Sequence, residues 1–334
     1  MTKAPNREWI SNKLAAVTKH ADDLVALNPD VTNEYRPLTA LKLLVLSAGV
    51  ELYTRIVPGK YEHSYYIDLF AGAGATEIRG ASQNVVGSPI IAPVLAHEDF
   101  REYHFVELES EKATALQARL DYMDEVIDFP RERCQVHNVD ANDFAHEFMD
   151  EMREELGSSY KGLNLFSFID PEGMDPRWHV TRRLADVYGD MLIHYPESAV
   201  NRDLETQKAR SYFPDDRYLD LPSEDDREKY FCESLESCDN TDITIPIRIE
   251  SGDSGGNYHY DLIYATRETR AGSPYQKAMK HMQQKIEPLD GDDIKHVFRG
   301  LEGNEAALDE FMGGGTGEPS DKRKDGERLR DYYQ

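Results

Sequence analysis

The sequence contains few cysteines, the residues that form disulfide bonds and many zinc sites. Its 334 residues include three cysteines, at positions 134, 232 and 238, and no CxxC pair. This excludes a disulfide framework and a four-cysteine zinc site, and it favours a reducing compartment, which we expect to be the cytoplasm. The eleven histidines are scattered without an HExxH motif, so the sequence predicts no metal site.

Long apolar runs are also lacking. No stretch approaches the ~18 apolar residues that favour a membrane span. The polar start MTKAPNREWI has no apolar segment of the kind found in secretory signals. We therefore expect no membrane partner.

Lysine is scarce beside the acids. The chain has 15 lysines and 23 arginines against 63 aspartates and glutamates, which gives a formal net charge of −25 at pH 7. Concentrated salt screens the self-repulsion of such a surface, within ~3 Å at 1 M. We expect a halophilic protein of a salt-loaded cytoplasm, and the alternative is an ordinary acidic protein. In high salt the net charge does not exclude nucleic acid as a partner.

Five apolar strand-like segments alternate with helical segments between residues 63 and 196. This alternation predicts an α/β fold with a doubly wound, mostly parallel sheet. Two further strands, within 241–250 and 258–267, flank a turn-rich segment and predict a C-terminal antiparallel hairpin. The prediction is therefore a Rossmann-like, seven-stranded, mostly parallel sheet.

The two ends of the chain lie outside this pattern. Apolar residues at helical spacing predict a buried helix over 37–57, and the glycine-rich, charged C-terminus predicts a flexible tail. We predict a helical N-terminal extension over 1–35, the Rossmann-like domain over 36–270 with a helical insertion over 198–240, a small helical appendage over 271–311, and the tail over 312–334.

The most informative motif is Asp68-Leu-Phe-Ala-Gly72-Ala-Gly74, at the end of the first predicted strand of the sheet. Two glycines one residue apart let a backbone approach a ligand closely. Glu77 stands where the dinucleotide fingerprint has its third glycine, and no helix follows directly to receive a pyrophosphate. The motif therefore argues against NAD or FAD and favours a cofactor without phosphate, such as S-adenosylmethionine.

Three more acids follow the next predicted strands. Glu107 is placed to accept hydrogen bonds from ribose hydroxyls, Asp140 to contact an adenine amino group, and Asp170 opens the motif Asp-Pro-Glu-Gly. With Asp68, they are four acids at the carboxyl ends of four successive strands, which is the edge where open α/β sheets bind ligands. Taken alone, Glu107 is better explained as an ordinary charged strand end, whereas the four acids together predict a ligand site.

The set of YIDLFAGAG, GSPIIA, FVELE, FIDPEGMD and YDLIYAT resembles the three-Cys-motif partner protein family, TcmP, over residues 36–270. The resemblance implies a Rossmann-like methyltransferase fold, S-adenosyl-L-methionine as the cofactor, and a partner protein with a three-cysteine motif. Residue by residue it implies cofactor binding by Asp68, Gly72, Gly74 and Glu107, and a DPxG motif formed by Asp170, Pro171 and Gly173. Phe70, in the same turn as the two glycines, is a further candidate for cofactor binding. It implies no particular methyl acceptor.

The DPxG motif occupies the strand end where amino-methyltransferases of nucleic acids carry Asp or Asn, prolines and an aromatic residue. There the carboxylate and a backbone carbonyl orient the target amine toward the sulfonium methyl group. We expect Asp170 to orient an amine of a nucleic acid base, although Gly173 replaces the aromatic residue. Trp178 or Phe168 could supply the stacking, and the alternative places both in the core. Cytosine-C5 methylation is disfavoured because no cysteine follows Pro171.

Two alternatives remain open from the sequence. The chain could be a non-catalytic module that binds the cofactor and serves the three-cysteine protein, whereas a nucleotide-dependent oxidoreductase is disfavoured by the missing third glycine. If the acceptor is a nucleic acid, phosphate contacts are expected from Arg177, Arg182, Arg183 and Arg202. His194 lies near the same edge, where a surface histidine is the default interpretation.

Overall fold

The computed structural model describes residues 7–79, 84–251, 259–268 and 274–301. The predicted tail over 312–334 lies outside them. The strands are β1 (Asn33–Tyr35), β2 (Ser64–Asp68), β3 (Ala75–Ile78), β4 (Asn84–Val86), β5 (Glu102–Val106), β6 (Cys134–His137), β7 (Asn164–Ile169), β8 (Tyr188–Tyr195), β9 (Ile243–Glu250) and β10 (His259–Thr266).

Helices connect the strands and extend both ends of the described chain. They are α1 (Arg7–Thr18), α2 (Ala21–Leu27), α3 (Thr39–Thr54), α4 (Ser88–Leu95), α5 (Ser110–Val126), α6 (Ala141–Leu156), α7 (Trp178–Ala185), α8 (Glu197–Arg202), α9 (Gln207–Tyr212), α10 (Glu224–Glu236), α11 (Pro274–Ile286) and α12 (Gly291–Leu301). None of these described helices is both long and apolar enough to cross a membrane.

The main sheet has seven strands in the order β6-β5-β2-β7-β8-β10-β9. The first five are mutually parallel. Strand β10 is antiparallel to both β8 and β9, between which it is inserted. The predicted Rossmann-like methyltransferase fold, with its mostly parallel seven-stranded sheet and antiparallel hairpin, is confirmed.

The apolar segments fill the two faces of this sheet. Strands β2 and β7 are buried along their whole length, as expected for central strands covered on both sides. Buried side chains of α3 and α4 pack on one face, and those of α6, α7 and α10 pack on the other. The sheet therefore presents its strand ends, rather than its faces, to any ligand.

The ends of the described chain share one core with the sheet. Leu14 of α1, Met279 of α11 and Val297 of α12 are buried in the same hydrophobic cluster as Tyr264 of β10. Shared packing does not show where one unit ends and the next begins. The boundaries of the N-terminal extension and of the C-terminal appendage therefore stay a prediction.

A small sheet that the sequence did not predict lies beside the main one. It has the order β1-β3-β4, with β1 parallel to β3 and β4 antiparallel to it. Its strands have only three or four residues each, too few to show an alternating pattern. This small sheet carries Tyr35, which becomes part of the candidate site.

Candidate functional site

The turn after β2 requires glycine at two positions. Gly72 and Gly74 have φ values of 62° and 79°, in the left-handed region. A Cβ on Gly74 would lie 2.7 Å from Leu116 Cδ1. The Gly87 amide donates a hydrogen bond of 2.9 Å to the Gly74 carbonyl, so the start of α4 fixes the far side of the turn.

Glu107, at the end of β5, is held against this turn. Its Oε2 accepts a hydrogen bond of 3.0 Å from the Gly72 amide, and its Oε1 accepts one of 2.8 Å from the Glu109 amide. A carboxylate offers about four acceptor positions, so two backbone donors leave capacity for hydroxyl groups of a ligand. The sequence prediction that Glu107 binds ribose fits this arrangement and stays a prediction.

Asp68, at the end of β2, is fully buried. Its Oδ1 accepts a hydrogen bond of 3.3 Å from the Phe70 amide, while its Oδ2 has no hydrogen-bond partner among the described residues. Burial, together with the charges of Asp170 and Glu107, raises the pKa of Asp68 to about 7, against the opposing effect of the nearby Ser88 hydroxyl and the Phe70 amide. A buried, unpartnered carboxyl oxygen is stabilised by a donor or cation supplied by a ligand.

Asp170, after β7, lies in the opposite electrostatic environment. Lys42 of α3 forms an ion pair with its Oδ2, and His194 Nδ1 of β8 lies 3.3 Å from its Oδ1. Burial raises the pKa of Asp170, but Lys42 and His194 outweigh it and lower that pKa to about 2. Asp170 is therefore a permanent carboxylate, able to accept a hydrogen bond and unsuited to take up a proton.

Tyr35 shows that the acids after β2, β5 and β7 converge. Burial raises the pKa of its hydroxyl, and the four carboxylates that raise it further are those of Asp170, Glu172, Glu107 and Asp68. The structure thus brings together three of the four predicted strand-end acids and adds Glu172. We call Tyr35, Lys42, Asp68, Glu107, Asp170, Glu172 and His194 the acidic-edge site.

Four members of this site were not predicted as site residues from the sequence: Tyr35, Lys42, Glu172 and His194. Lys42 is the one charged residue of the apolar run 38–50, and this was a usable signal. Its ammonium lies 5.5 Å from the Tyr35 ring centroid. The side chain of His194 is 14 % exposed, and its Nδ1 also lies 3.3 Å from the Pro171 carbonyl oxygen, so it is a member of the site and not a surface histidine.

Asp140 has a local task instead. It is the N-cap of α6, where its Oδ1 accepts hydrogen bonds from the amides of Asn142 at 2.8 Å and Asp143 at 3.4 Å. It is not among the carboxylates that raise the pKa of Tyr35. Its predicted contact with adenine stays a prediction.

Of the aromatic residues considered for base stacking, Phe168 is buried in the core and Trp178 is partly buried against it. Phe168 is 1 % exposed, and Trp178 packs edge-on against Phe231 with ring centroids 5.7 Å apart. Phe70, predicted to bind the cofactor, is partly buried against the same apolar cluster as Trp178. A Cβ on Gly173 would meet only Lys208 Nζ, at 3.6 Å, so sterics do not require glycine there.

The arginines near this edge are mostly engaged by acids. Arg202 donates hydrogen bonds of 3.0 and 2.8 Å to Asp203, not to Asp170. Arg183 pairs with Asp150, and Arg182 Nε lies 3.7 Å from an oxygen of Asp186. Such pairs are typical of a helix face exposed to solvent. The phosphate contacts predicted for these arginines stay a prediction.

Comparison with known proteins assigns no family to this chain. No protein-family model and no curated protein sequence matches the chain, so the resemblance to the TcmP family stays an expectation. A Legionella pneumophila protein of the DUF519 family is similar over 74% of this chain and 92% of its own, with 10% identity and a TM-score of 0.44.

Two further solved structures are similar to this chain at comparably low sequence identity. One is yhhF from Escherichia coli, named as a proposed methyltransferase, which is similar over 66% of this chain and 86% of its own, with 13% identity and a TM-score of 0.30. The other, from Clostridium thermocellum, is named as a proposed rRNA methylase and is similar over 61% and 88%, with 9% identity and a TM-score of 0.31. The assignment of the fold therefore rests on the strand order of this chain.

Proposed function

We propose that the chain is an S-adenosyl-L-methionine-dependent methyltransferase. The observation that carries the proposal is the position of Asp68, Glu107 and Asp170 at the ends of three neighbouring parallel strands, in a sheet with methyltransferase strand order. S-adenosylmethionine supplies an electrophilic methyl group on a sulfonium and carries a second cation, its ammonium. An edge with several carboxylates and one lysine suits such a ligand better than it suits a pyrophosphate.

The cofactor side of the site is assigned to the turn after β2. The unpartnered Oδ2 of Asp68 receives a cationic or donor group, and Glu107 binds two hydroxyl groups. Gly72 and Gly74 leave the backbone open to the ligand, Phe70 lines it, and Asp140 lies at the adenine end. These assignments rest on the positions of the residues at the strand ends.

The acceptor side is assigned to Asp170, Pro171 and Gly173. The Asp170 carboxylate keeps free acceptor positions beside Lys42 and His194, so it can hold an amine by a hydrogen bond and direct the nitrogen lone pair. We propose an amine of a nucleic acid base as the acceptor. Tyr35, the aromatic ring at this site, takes the stacking role that Gly173 cannot fill.

Binding of S-adenosylhomocysteine, measured by calorimetry in molar KCl, tests the cofactor site. We expect binding to the wild type, strong loss in Asp68→Asn and Glu107→Gln, and no change in Glu147→Ala, a control at an exposed residue of α6. Circular dichroism checks the fold of each variant. A folded wild type that binds nothing, or variants that bind as the wild type does, would contradict the assignment.

Transfer of a radiolabelled methyl group to RNA and DNA tests the acceptor side. We expect labelled nucleosides with the wild type and loss of label with Asp170→Asn at unchanged S-adenosylhomocysteine affinity, because Asp170 is assigned to the acceptor. Cofactor binding without transfer to nucleic acid, protein or small molecules would instead favour the non-catalytic module and its three-cysteine partner.

A further inference from the structure

A second cluster of ionisable side chains lies at the other half of the sheet. Glu197 is the first residue of α8, Glu224 the first of α10, and His259 the first of β10. Asp261 of β10 pairs in register with Tyr195 of β8, so the continuation of the two strands brings His259 beside Glu197. One potential ligand atom from each of the three residues lies within 4.8 Å of the others.

Glu197 is buried, and the groups around it are His259 and Glu224. The residue is 6% exposed, and its Oε2 makes no hydrogen bond among the described residues. His259 Nε2 lies 2.6 Å from this oxygen, in an orientation that does not form a hydrogen bond. A carboxylate oxygen at this depth without a hydrogen bond costs free energy unless a cation satisfies it, and that cation is either a protonated His259 or a bound metal ion.

Apart from His259, the cations near Glu197 are engaged elsewhere. Arg248, whose charge acts on Glu197, forms a bidentate pair with Asp261 at 3.1 and 2.9 Å. In the part of the chain that the structure describes, no lysine or arginine lies within 4 Å of the carboxylate oxygens of Glu197 or Glu224. Two adjacent carboxylates repel each other unless a proton or a cation lies between them.

We propose that Glu197, Glu224 and His259 form a binding site for a divalent transition-metal cation, with Zn²⁺ as the first candidate. Two carboxylates and one imidazole are a ligand set of the kind that binds zinc through three side chains and leaves a fourth position for water. Zinc ligands at ~2.1 Å from the ion lie about 3.4 Å apart in a tetrahedron, so small side-chain rotations suffice to close this site. The imidazole disfavours Mg²⁺ and Ca²⁺, which prefer oxygen ligands only.

The position of the site indicates what the ion would do. Helices α8 and α10 belong to the segment between β8 and β9, and β10 is the strand inserted between those two. A cation bound by all three elements would tie this helical segment to the sheet. Glu224 is exposed, which gives the ion an entry path.

No sequence motif could show this site, because its residues are 27 and 35 positions apart. The prediction of no metal site relied on short motifs, so it does not weigh against residues brought together by β8–β10 pairing.

Calorimetric titration of ZnCl₂ into the untagged, full-length, chelator-treated chain tests the proposal. We expect saturable binding of one Zn²⁺ per chain and weaker binding of Mg²⁺. The affinity for Zn²⁺ should fall about tenfold or more in His259→Gln and Glu197→Gln, since even the outer hydrogen-bond partners of metal ligands are worth that much. The control is His146→Gln, because His146 is an exposed histidine 3.5 Å from the Asp150 carboxylate and outside the cluster.

Several results would overturn the proposal. These are absence of saturable Zn²⁺ binding, an equal loss of affinity in His146→Gln, and unchanged binding in His259→Gln; each would leave only a contact between Glu197 and His259. X-ray absorption at the zinc edge should show only nitrogen and oxygen ligands, and a sulfur ligand would refute it as well. His259 is a half-buried residue at a strand end, so its variant keeps the test valid if Glu197→Gln fails to fold. None of these measurements depends on S-adenosylmethionine.

Discussion

Replacing Asp68 by asparagine should change how the stability of the protein depends on pH. Asparagine has nearly the shape of aspartate and can still accept the Phe70 amide, but it does not titrate. The Asp68 carboxyl is fully buried, with a pKa raised to about 7, chiefly by burial, from an ordinary value of 3.8. The proton on this group is therefore held far more tightly in the folded chain than in the unfolded one.

The sign follows from proton linkage. Between about pH 4 and pH 7 the folded chain keeps the Asp68 proton that the unfolded chain has lost, so stability falls as the pH rises, by about 1.4 kcal/mol per unit. Integrated from pH 5 to pH 8 with the two pKa values, the wild type loses about 2.5 kcal/mol that Asp68→Asn does not lose. The variant should thus become progressively more stable than the wild type toward alkaline pH.

Urea unfolding of both proteins at pH 5, 6, 7 and 8, at one fixed KCl concentration, measures this difference. All other titrating groups are shared, so their contributions cancel when the two free energies of unfolding are subtracted. A difference that stays constant with pH, or that favours the wild type as the pH rises, would refute the assignment of a buried, protonated Asp68.

Three other changes have defined outcomes. Lys42→Met removes the cation that pairs with Asp170 and should cost about 3 kcal/mol in urea unfolding, whereas the double variant with Asp170→Asn should cost less than the sum of the two single changes; additive costs would contradict the pair. Gly74→Ala forces an alanine to φ 79° with its Cβ 2.7 Å from Leu116 and should cost about 1–3 kcal/mol, while Gly59→Ala, in open space, should cost less than 1 kcal/mol, roughly. Raising KCl from about 0.1 to 2 M should raise the melting temperature, because salt screens a net charge of −25; a falling melting temperature would count against the halophilic interpretation.

Much of the main sheet could be predicted because its local signals agree with its tertiary environment. The central strand β7 is a continuous apolar run, as a strand covered on both faces must be. Helix α6 begins after the capping side chain of Asp140 and ends before Gly157, whose φ is positive. Because aspartate and glycine are typical of these two positions, both ends of the helix could be predicted from the sequence.

The small sheet could not be predicted in the same way. Strand β1 is paired with β3, which lies about 40 residues further along the chain, and neither strand is long enough to show a period. The register of this sheet is decided by tertiary packing. The sequence pattern therefore could not predict that Tyr35 lies at the candidate site.

In the candidate site, too, some residues could be predicted from the sequence and others could not. Asp68, Glu107 and Asp170 could be predicted to meet because parallel strands end at one edge, and topology alone brings them there. Their partners could not be predicted, since Lys42 meets Asp170 from a helix 128 positions earlier. The electrostatic state of each acid depends on those partners, and so it became visible only in the structure.

Asp68 and Asp170 lie at the ends of adjacent strands, yet their pKa values are moved in opposite directions, to about 7 and about 2. Environments that separate the pKa values of neighbouring acids are typical of sites that give them different tasks. Asp170, neutralised by Lys42, keeps the same charge at every physiological pH and is suited to hold an acceptor in place. Asp68 has no such cation, so a cationic ligand that reaches its free oxygen would also ionise it. Under the proposed function, the acidic-edge site would respond to a cation at the end of β2 and remain unchanged at the end of β7, which is the asymmetry that a cationic methyl donor and a neutral acceptor require.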